Sequence, residues 1–182
     1  MSRLLKTIRT ALFVAGVSML PAMAEQNKQP NIVLILADDM GVGELSHAGG
    51  LIPTPALDSL AEEGMRFTDA HTSSSVCTPT RYGILTGRYN WRSRLKSGVI
   101  GGVSPALMDP DRVNLPDFLQ RAGYHTACIG KWHLGLDWEH LPKDAVPEGK
   151  TDGAWRVDYT KPFMNGPVDV GFDEAFFHCR LA

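Results

Sequence analysis

An apolar run near the amino terminus limits the folds that this chain can adopt. Residues 31–37 read Asn-Ile-Val-Leu-Ile-Leu-Ala, with large aliphatic side chains following one another without polar alternation. Such a run predicts a strand covered on both faces, as in a parallel sheet flanked by helices. It ends at Asp38 and Asp39, with Gly41 and Gly43 just beyond. This sequence of a strand, acids and glycines predicts a strand end that opens into a loop.

Further helices and strands are predicted to alternate along the chain. Helices are predicted where Pro falls in a first turn and Gly follows the last patterned residue, at 54–64, 79–86 and 116–122. Short strands are predicted at 65–70 and 124–129, whereas residues 141–166 are rich in Pro, Gly and charge and predict a long loop. The order predicts an α/β sandwich with a mostly parallel sheet.

The amino terminus has the three-part layout of a secretory signal. Arg3, Lys6 and Arg9 precede a short apolar run at 11–20, and Ala22-Met23-Ala24 forms a cleavage pattern before Glu25. The apolar run is shorter than the about 20 residues that a membrane-spanning helix needs. We therefore expect residues 1–24 to be a signal peptide and the protein to be exported, periplasmic or secreted, without stable membrane insertion. An uncleaved anchor is the alternative.

Composition and charge narrow the class of protein. The chain is 43% hydrophobic and 21% charged, which is typical of a globular protein. Its net charge of −2 gives no general attraction to nucleic acid, so no nucleic-acid partner is expected. Any binding of an anion must then come from a local site.

The three cysteines, Cys77, Cys128 and Cys179, are an odd number for an exported protein. At least one of them must be unpaired or modified, and no C-x-x-C spacing indicates zinc. A cysteine near a helix start is usually a small buried hydrophobe, and paired acids after a strand usually form a turn. Those plain interpretations hold for each position taken alone.

Polar groups nevertheless follow several predicted elements. Asp38 and Asp39 follow the first strand, Cys77 precedes a helix, and Lys131 and His133 follow the strand at 124–129. Ligands of open α/β sheets bind outside the carboxyl ends of the strands, so these groups are candidates to converge. Lys131 and His133 also share a face if the segment is extended. The other histidines are expected to be non-catalytic: His47, His71, His125, His140 and His178.

Two longer motifs resemble the signatures of one enzyme family. Residues 75–87 read Ser-Val-Cys-Thr-Pro-Thr-Arg-Tyr-Gly-Ile-Leu-Thr-Gly, and residues 123–133 read Gly-Tyr-His-Thr-Ala-Cys-Ile-Gly-Lys-Trp-His. In this order they resemble the two signatures of the formylglycine-dependent, arylsulfatase-like sulfatases. Residues 31–39 resemble the opening strand of the same family, and the likeness continues weakly to 171–173. The resemblance implies an alkaline-phosphatase-like α/β fold and hydrolysis of sulfate esters.

The resemblance also implies a modified nucleophile and a metal. Cys77 would be oxidised to formylglycine by a formylglycine-generating enzyme that reads Cys77, Pro79 and Arg81. A divalent cation, usually Ca²⁺, would be held by Asp38, Asp39 and the modified Cys77. Calcium prefers such carboxylate oxygens, and it lowers the pKa of a bound hydroxyl. Position 80 carries Thr instead of the commoner Ser, which keeps the hydroxyl.

The remaining implied roles concern the reaction itself. Lys131 would contact the sulfate, Arg81 would brace the formylglycine, and His133 would take the proton from its second hydroxyl. A hydrated aldehyde suits this cycle because one hydroxyl attacks sulfur and the other later expels sulfate.

We expect residues 25–182 to form the amino-terminal, truncated part of a sulfatase catalytic domain. Its sheet would be incomplete at the carboxyl terminus, and further metal ligands and the leaving-group acid would lie on later sequence. The expected substrate is a sulfated glycan or an aryl sulfate. A phosphonate or phosphate monoester hydrolase of the same superfamily is one alternative, and a catalytically inactive fragment is another. Trp91, Arg92 and Arg94 would either border a sugar-sulfate pocket or, as we favour here, be ordinary core and surface residues.

Overall fold

The structure, a computed structural model, describes residues 29–146, 148–150 and 153–179. The predicted signal peptide at 1–24 lies outside the described residues. The chain divides after Leu36 into two units. Residues 29–36 are the described part of the first unit, and the second unit holds all the helices and strands that follow. None of the helices in the described ranges is long and apolar enough to cross a membrane.

The sheet of the described residues has two parallel strands. Strand β1, Ala127–Lys131, lies beside strand β2, Glu174–His178. Ala127 is opposite Glu174, and Lys131 is opposite His178. The predicted parallel pairing is therefore observed. The predicted strand at 124–129 is shifted towards its carboxyl end, because Tyr124 still hydrogen-bonds back to Leu119 through its backbone N–H.

Two predicted strands are wrong. Residues 31–37 and 65–70 are not assigned to strands, and the side chains of Val33, Ile35 and Met65 are 77–79% exposed. A strand exists only when its backbone groups pair with those of a neighbour, and the described sheet contains β1 and β2 alone. An apolar run indicates that its side chains favour burial, but it does not indicate which strand would pair with it.

The three predicted helices are confirmed within two residues. They are α1 at Pro55–Glu63, α2 at Cys77–Thr86 and α3 at Leu115–Arg121. Helix α2 ends at Gly87, whose positive φ of 64° is the left-handed conformation that glycine adopts without strain. Helix α3 starts with a capping box between Asn114 and Asp117. Short 3-10 turns lie at Val42–Glu44, Ser46–Ala48, Asn90–Arg92, Lys143–Ala145 and Gly153–Arg156.

The hydrophobic core lies on one side of the sheet. Trp132, Leu134 and Leu136 follow β1 and are at most 2% exposed, and they cluster with Tyr82 of α2. Phe177 of β2 packs against this cluster. The opposite face is bare, since Ile129 and its partner Phe176 are 80% and 83% exposed. The core therefore fixes α2 and the carboxyl end of β1 against each other.

The predicted loop at 141–166 carries little regular structure beyond its two 3-10 turns. Isolated antiparallel bridges join Asp137 to Met164 and His140 to Val157. The long-loop prediction is confirmed for the described residues of this segment.

A carboxylate anchors the turn before β2 to the start of β1. Asp173 accepts hydrogen bonds from the backbone N–H and the hydroxyl of Thr126, at 2.7 and 2.9 Å. A hydrogen bond from the Gln120 side chain, helped by those from Thr126, lowers the pKa of Asp173 to about 2. The ionised carboxylate is thus the form that stabilises this junction.

Replacing Asp173 with Asn is expected to lower the melting temperature at pH 7, since the charged acceptor is lost. Asp173 ionises near its ordinary pKa of 3.8 in the unfolded chain and near 2 in the folded one. Its contribution is therefore present above about pH 4 and is lost as the pH falls towards 2. Melting curves at pH 7, 5 and 3 should show a difference that shrinks with acidity. Asp144→Asn, at an exposed site, is the control, and a constant deficit at all three pH values would contradict the assignment.

Candidate active site

The start of α2 presents Cys77 and Arg81 on one side of the helix. Cys77 is the first helical residue, after an extended Val76, and it is partly exposed. Arg81 follows four residues later, and residues with this spacing lie above one another on the same helix face. The helix thereby places a cation one turn from the candidate nucleophile.

Buried hydroxyl groups hold this first turn in place. Thr78 is fully buried, and its Oγ1 accepts from the backbone N–H of Ile100 at 3.4 Å. The hydroxyl of Thr80 donates to the carbonyl of Ser74 at 2.8 Å. Thr at position 80 therefore uses its hydroxyl to tie α2 to the preceding loop.

Gly83 lets the same loop lie close against α2. A Cβ atom built on Gly83 would meet Oγ of Ser73 at 2.3 Å, well inside contact distance. Ser73 also donates to the carbonyl of Pro79 at 3.3 Å. The glycine of the first signature thus has a packing role at this contact.

The carboxyl end of β1 joins Arg81 to Asp38. Nη1 of Arg81 donates to the backbone carbonyl of Lys131 at 2.6 Å, and its Nη2 lies 3.6 Å from Oδ1 of Asp38. The Lys131 ammonium donates to Oδ2 of Asp38. These three side chains, which we call the Asp38 cluster, come from three separate segments of the chain. The structure therefore brings Asp38 and Lys131, two of the groups expected to converge, into contact and adds Arg81 to them.

The charges of the Asp38 cluster do not balance. The hydrogen bond from Lys131 lowers the pKa of Asp38, and the charges of Lys131 and Arg81 act in the same direction against the cost of burial. Asp38 is therefore ionised at neutral pH, and the two cations leave the cluster with one net positive charge. The Arg81 and Lys131 side chains are only 13% and 11% exposed, so solvent screens these two cations less than it screens the carboxylate of Asp38, which is 42% exposed.

Arg81 keeps one donor unused. Its Nε is buried and has no hydrogen-bond partner within the described residues. A buried donor without an acceptor is costly, so its presence indicates that a further acceptor belongs here.

His133 is placed differently from the sequence expectation. It is 2% exposed and has a positive φ of 55°, so the strand alternation that would align it with Lys131 is broken. Its Nε2 lies 2.7 Å from the carbonyl oxygen of Ile100. A carbonyl only accepts, so Nε2 must carry the hydrogen. Any proton that a neutral His133 accepts must then arrive at Nδ1.

The predicted metal ligands have suitable chemistry but do not form a complete shell. No group of three His, Cys, Asp or Glu side chains that would hold a metal is found in the described ranges. Asp39 is exposed and has a positive φ of 55°. The carboxylate of Asp38 is suited to a cation, since it already accepts a hydrogen bond from the Lys131 ammonium. Calcium takes six to eight oxygen ligands, so two carboxylates alone would be too few for a complete shell.

Ile100 is a site residue that the sequence did not reveal. Its N–H contacts Thr78 and its carbonyl contacts His133, so one residue links α2 to the segment after β1. Both contacts use backbone atoms, which every residue type except Pro provides. No motif marks such a position.

Comparisons with known proteins agree with this architecture. The Sulfatase family model matches residues 30–177. The chain is 42% identical over 153 residues to an N-acetylgalactosamine-6-O-sulfatase from Bacteroides thetaiotaomicron, covering 84% of this chain and 27% of that protein. It is 46% identical over 108 residues to arylsulfatase A from Bos taurus, covering 59% of this chain and 21% of the relative.

Solved structures show the same likeness. A structure from work on glycosaminoglycan metabolism by Bacteroides thetaiotaomicron superposes with a TM-score of 0.68 at 38% identity, covering 82% of this chain and 28% of that one. The crystal structure of Ps i-CgsB with k-i-k-neocarrahexaose gives a TM-score of 0.62 at 28% identity, with the same coverage. The chain spans between 21% and 28% of the length of these relatives. It belongs to the sulfatase family and has the alkaline-phosphatase-like α/β fold of that family.

Proposed function

We propose that this chain carries the nucleophile-bearing part of the active site of a sulfuric ester hydrolase. The observation that supports it most directly is the Asp38 cluster, which joins the helix of Cys77 to the end of β1. Because the chain spans about a quarter of its relatives' length, the activity is proposed for a polypeptide that contains these residues.

Cys77, oxidised to formylglycine, is the proposed nucleophile. When hydrated, the aldehyde supplies one hydroxyl to attack the ester sulfur and another whose deprotonation expels sulfate and restores the aldehyde. The partly exposed position at the start of α2 leaves this side chain accessible to a substrate. The N-terminus of a ten-residue helix also favours an anion there.

Arg81 is proposed to brace the modified residue. It lies one turn after Cys77 on the same helix face, and its Nε is the buried donor that lacks an acceptor in the described part. An oxygen on residue 77 would satisfy that donor. The contacts of Arg81 with Lys131 and Asp38 hold the guanidinium still while it does so.

Lys131 is proposed to bind the sulfate group. A sulfate ester gains negative charge on its leaving oxygen in the transition state, and a fixed cation nearby stabilises that charge. The net positive charge of the Asp38 cluster attracts the anionic group before reaction. The weak exposure of Lys131 strengthens the attraction, since water screens it poorly.

His133 is proposed to take the proton from the second hydroxyl. Its Nε2 is occupied by the carbonyl of Ile100, so Nδ1 is the atom that would accept the proton. Burial and that hydrogen bond fix the orientation of the ring. A fixed ring with one basic nitrogen suits a general base.

A divalent cation, proposed as Ca²⁺, would be held by Asp38, Asp39 and the modified Cys77. Such an ion polarises the sulfate and lowers the pKa of a bound hydroxyl. Asp38 must exchange the Lys131 ammonium for the ion to take part.

Maturation by a formylglycine-generating enzyme is proposed to precede packing of α2. The enzyme would read Pro79, which is less than 2% exposed, and Arg81, whose side chain is 13% exposed. Neither Pro79 nor Arg81 is accessible to an enzyme once helix α2 has packed against the core. This order agrees with modification during export to the periplasm or the medium.

The substrate is proposed to be a sulfated glycan or an aryl sulfate. The relatives named above are called N-acetylgalactosamine-6-O-sulfatase and arylsulfatase A. The proposal is tested with a polypeptide extended to the length of those relatives, matured with a formylglycine-generating enzyme. Initial rates with an aryl sulfate and with the matching aryl phosphonate should show a clear preference for sulfate. Preference for the phosphonate would instead favour a phosphonate hydrolase of the same superfamily.

A further inference from the structure

A pair of aromatic rings is exposed beyond the end of α2. Tyr89 and Trp91 stack on each other with ring centroids 4.1 Å apart and planes 11° from parallel. Each residue is nevertheless about half exposed, at 50% and 51%. The stack covers one face of each ring, and about half of each residue's surface remains open to solvent. Exposed large aromatic rings that are held in place are typical of binding surfaces.

The segment around these rings is held rigidly. Asn90 is 6% exposed, and its side-chain amide donates to the carbonyl of Leu95 at 2.9 Å. The Lys96 ammonium donates to the carbonyl of Trp91 at 2.8 Å. Arg94 donates to the carbonyls of Pro105 and Ala106. A ligand that binds here therefore meets a preformed surface and orders few groups.

The sequence segment that carries the pair contains basic residues and no acidic ones. Between Asp69 and Asp109 the sequence has no acidic residue, but it has five basic ones, of which four lie at 88–96. The side chains of Arg94 and Lys96 donate hydrogen bonds to backbone carbonyls. The side chains of Arg88 and Arg92 make no hydrogen bond or ion pair within the described residues. We call Tyr89, Trp91 and these two arginines the aromatic–basic platform.

A second exposed tryptophan shows what sets this platform apart. Trp155 is 45% exposed and carries the Lys150 ammonium 4.6 Å from its ring centroid. Its neighbourhood in sequence also contains Asp144, Glu148 and Asp158. The platform differs from this second site because its segment of sequence carries no acidic residue between Asp69 and Asp109.

We propose that the aromatic–basic platform binds a sulfated oligosaccharide. The apolar C–H face of a pyranose ring packs on an exposed aromatic face, while sulfate groups meet the unpaired guanidinium groups. The proposal rests on the proposed function for the sulfate-ester chemistry, and it selects glycans over small aryl sulfates.

The position of the platform explains why an oligosaccharide is required. Helix α2 has Cys77 at its first residue and the platform just after its last, Thr86. Nine helical rises separate these ends by about 14 Å. A small aryl sulfate at Cys77 is too short to span that distance, whereas a chain of several sugars is long enough. The platform then holds sugar units that are not being cleaved.

Binding to the 182-residue chain tests the proposal without any turnover. The probes are a chondroitin 6-sulfate hexasaccharide and the same hexasaccharide after desulfation, titrated calorimetrically at low salt. Trp91→Ala should weaken binding of the sulfated probe about tenfold, and Arg92→Gln should weaken binding of the sulfated probe alone. Raising the salt should reduce only the sulfate-dependent part. Trp155→Ala is the matched control and should leave the affinity unchanged.

Three outcomes would contradict binding of a sulfated oligosaccharide by the platform. They are equal binding of both hexasaccharides, an equal loss in Trp155→Ala, and binding of a six-residue oligothymidylate as tight as that of the sulfated probe. The last would indicate a nucleic-acid surface, which uses the same aromatic and basic groups. Both substituted side chains are exposed, so circular dichroism should show the wild-type fold. Because the readout is binding, failure here leaves sulfate ester hydrolysis at Cys77 untouched.

Discussion

Replacing Cys77 with Ala is expected to abolish sulfate release by the extended and matured polypeptide. The substitution removes the only proposed atom that forms a bond with sulfur, and loss of a covalent nucleophile lowers kcat by about 10³-fold or more. Initial rates with an aryl sulfate measure the loss. In the unsubstituted protein, the peptide containing residue 77 should show the mass change from thiol to aldehyde.

Cys128→Ala is the matched control for that experiment. Cys128 lies on β1 with its side chain against the core, and burial raises the pKa of its thiol. A protonated, packed thiol is a poor nucleophile, so its removal should leave kcat nearly unchanged. Full activity with an unmodified thiol at position 77 would contradict the assignment of the nucleophile. Wild-type rates in Cys77→Ala would do so as well.

The helices of this chain were predictable because their signals are local. Pro55 and Pro116 fall in first turns, and Gly64 and Gly87 mark ends, so each boundary depends on residues a few positions away. The strands were predicted less well, since their stability depends on pairing with distant segments: the one at 124–129 is present with a shift, and two others are absent from the described sheet. The run at 31–37 has stronger apolar character than β1, but β1 has a partner in β2 and the run has no place in the described sheet.

The candidate site could also be predicted only in part. Side chains with distinctive chemistry were identified from motifs, and the structure brings Asp38, Arg81 and Lys131 together. The geometry of His133 was not predictable, because its positive φ and its bond to the Ile100 carbonyl depend on backbone placement. The contact between Asp38 and Lys131 joins residues 93 positions apart, and no local pattern encodes it.

Replacing Lys131 with Met is expected to move turnover and calcium affinity in opposite directions. Loss of the cation that faces the sulfate should lower kcat about 10²- to 10³-fold in the extended polypeptide. The same change frees the Asp38 carboxylate from the ammonium that now holds it, and it removes repulsion between Lys131 and a divalent ion. Calorimetric titration with Ca²⁺ should therefore give a lower Kd for the variant than for the unsubstituted protein.

Opposite changes in turnover and calcium affinity would distinguish a direct role of Lys131 from a general loss of structure. A variant that had merely unfolded would lose both turnover and calcium binding, whereas competition for Asp38 predicts a gain in binding. Lys131→Arg keeps the charge, so its calcium Kd should stay near the unsubstituted value. Lys161→Met removes a cation that makes no contact with Asp38 and should change neither quantity. A calcium Kd that rises in Lys131→Met would refute the competition. Stronger calcium binding without loss of turnover would support competition between Lys131 and calcium for Asp38. It would contradict the proposed contact between Lys131 and the sulfate.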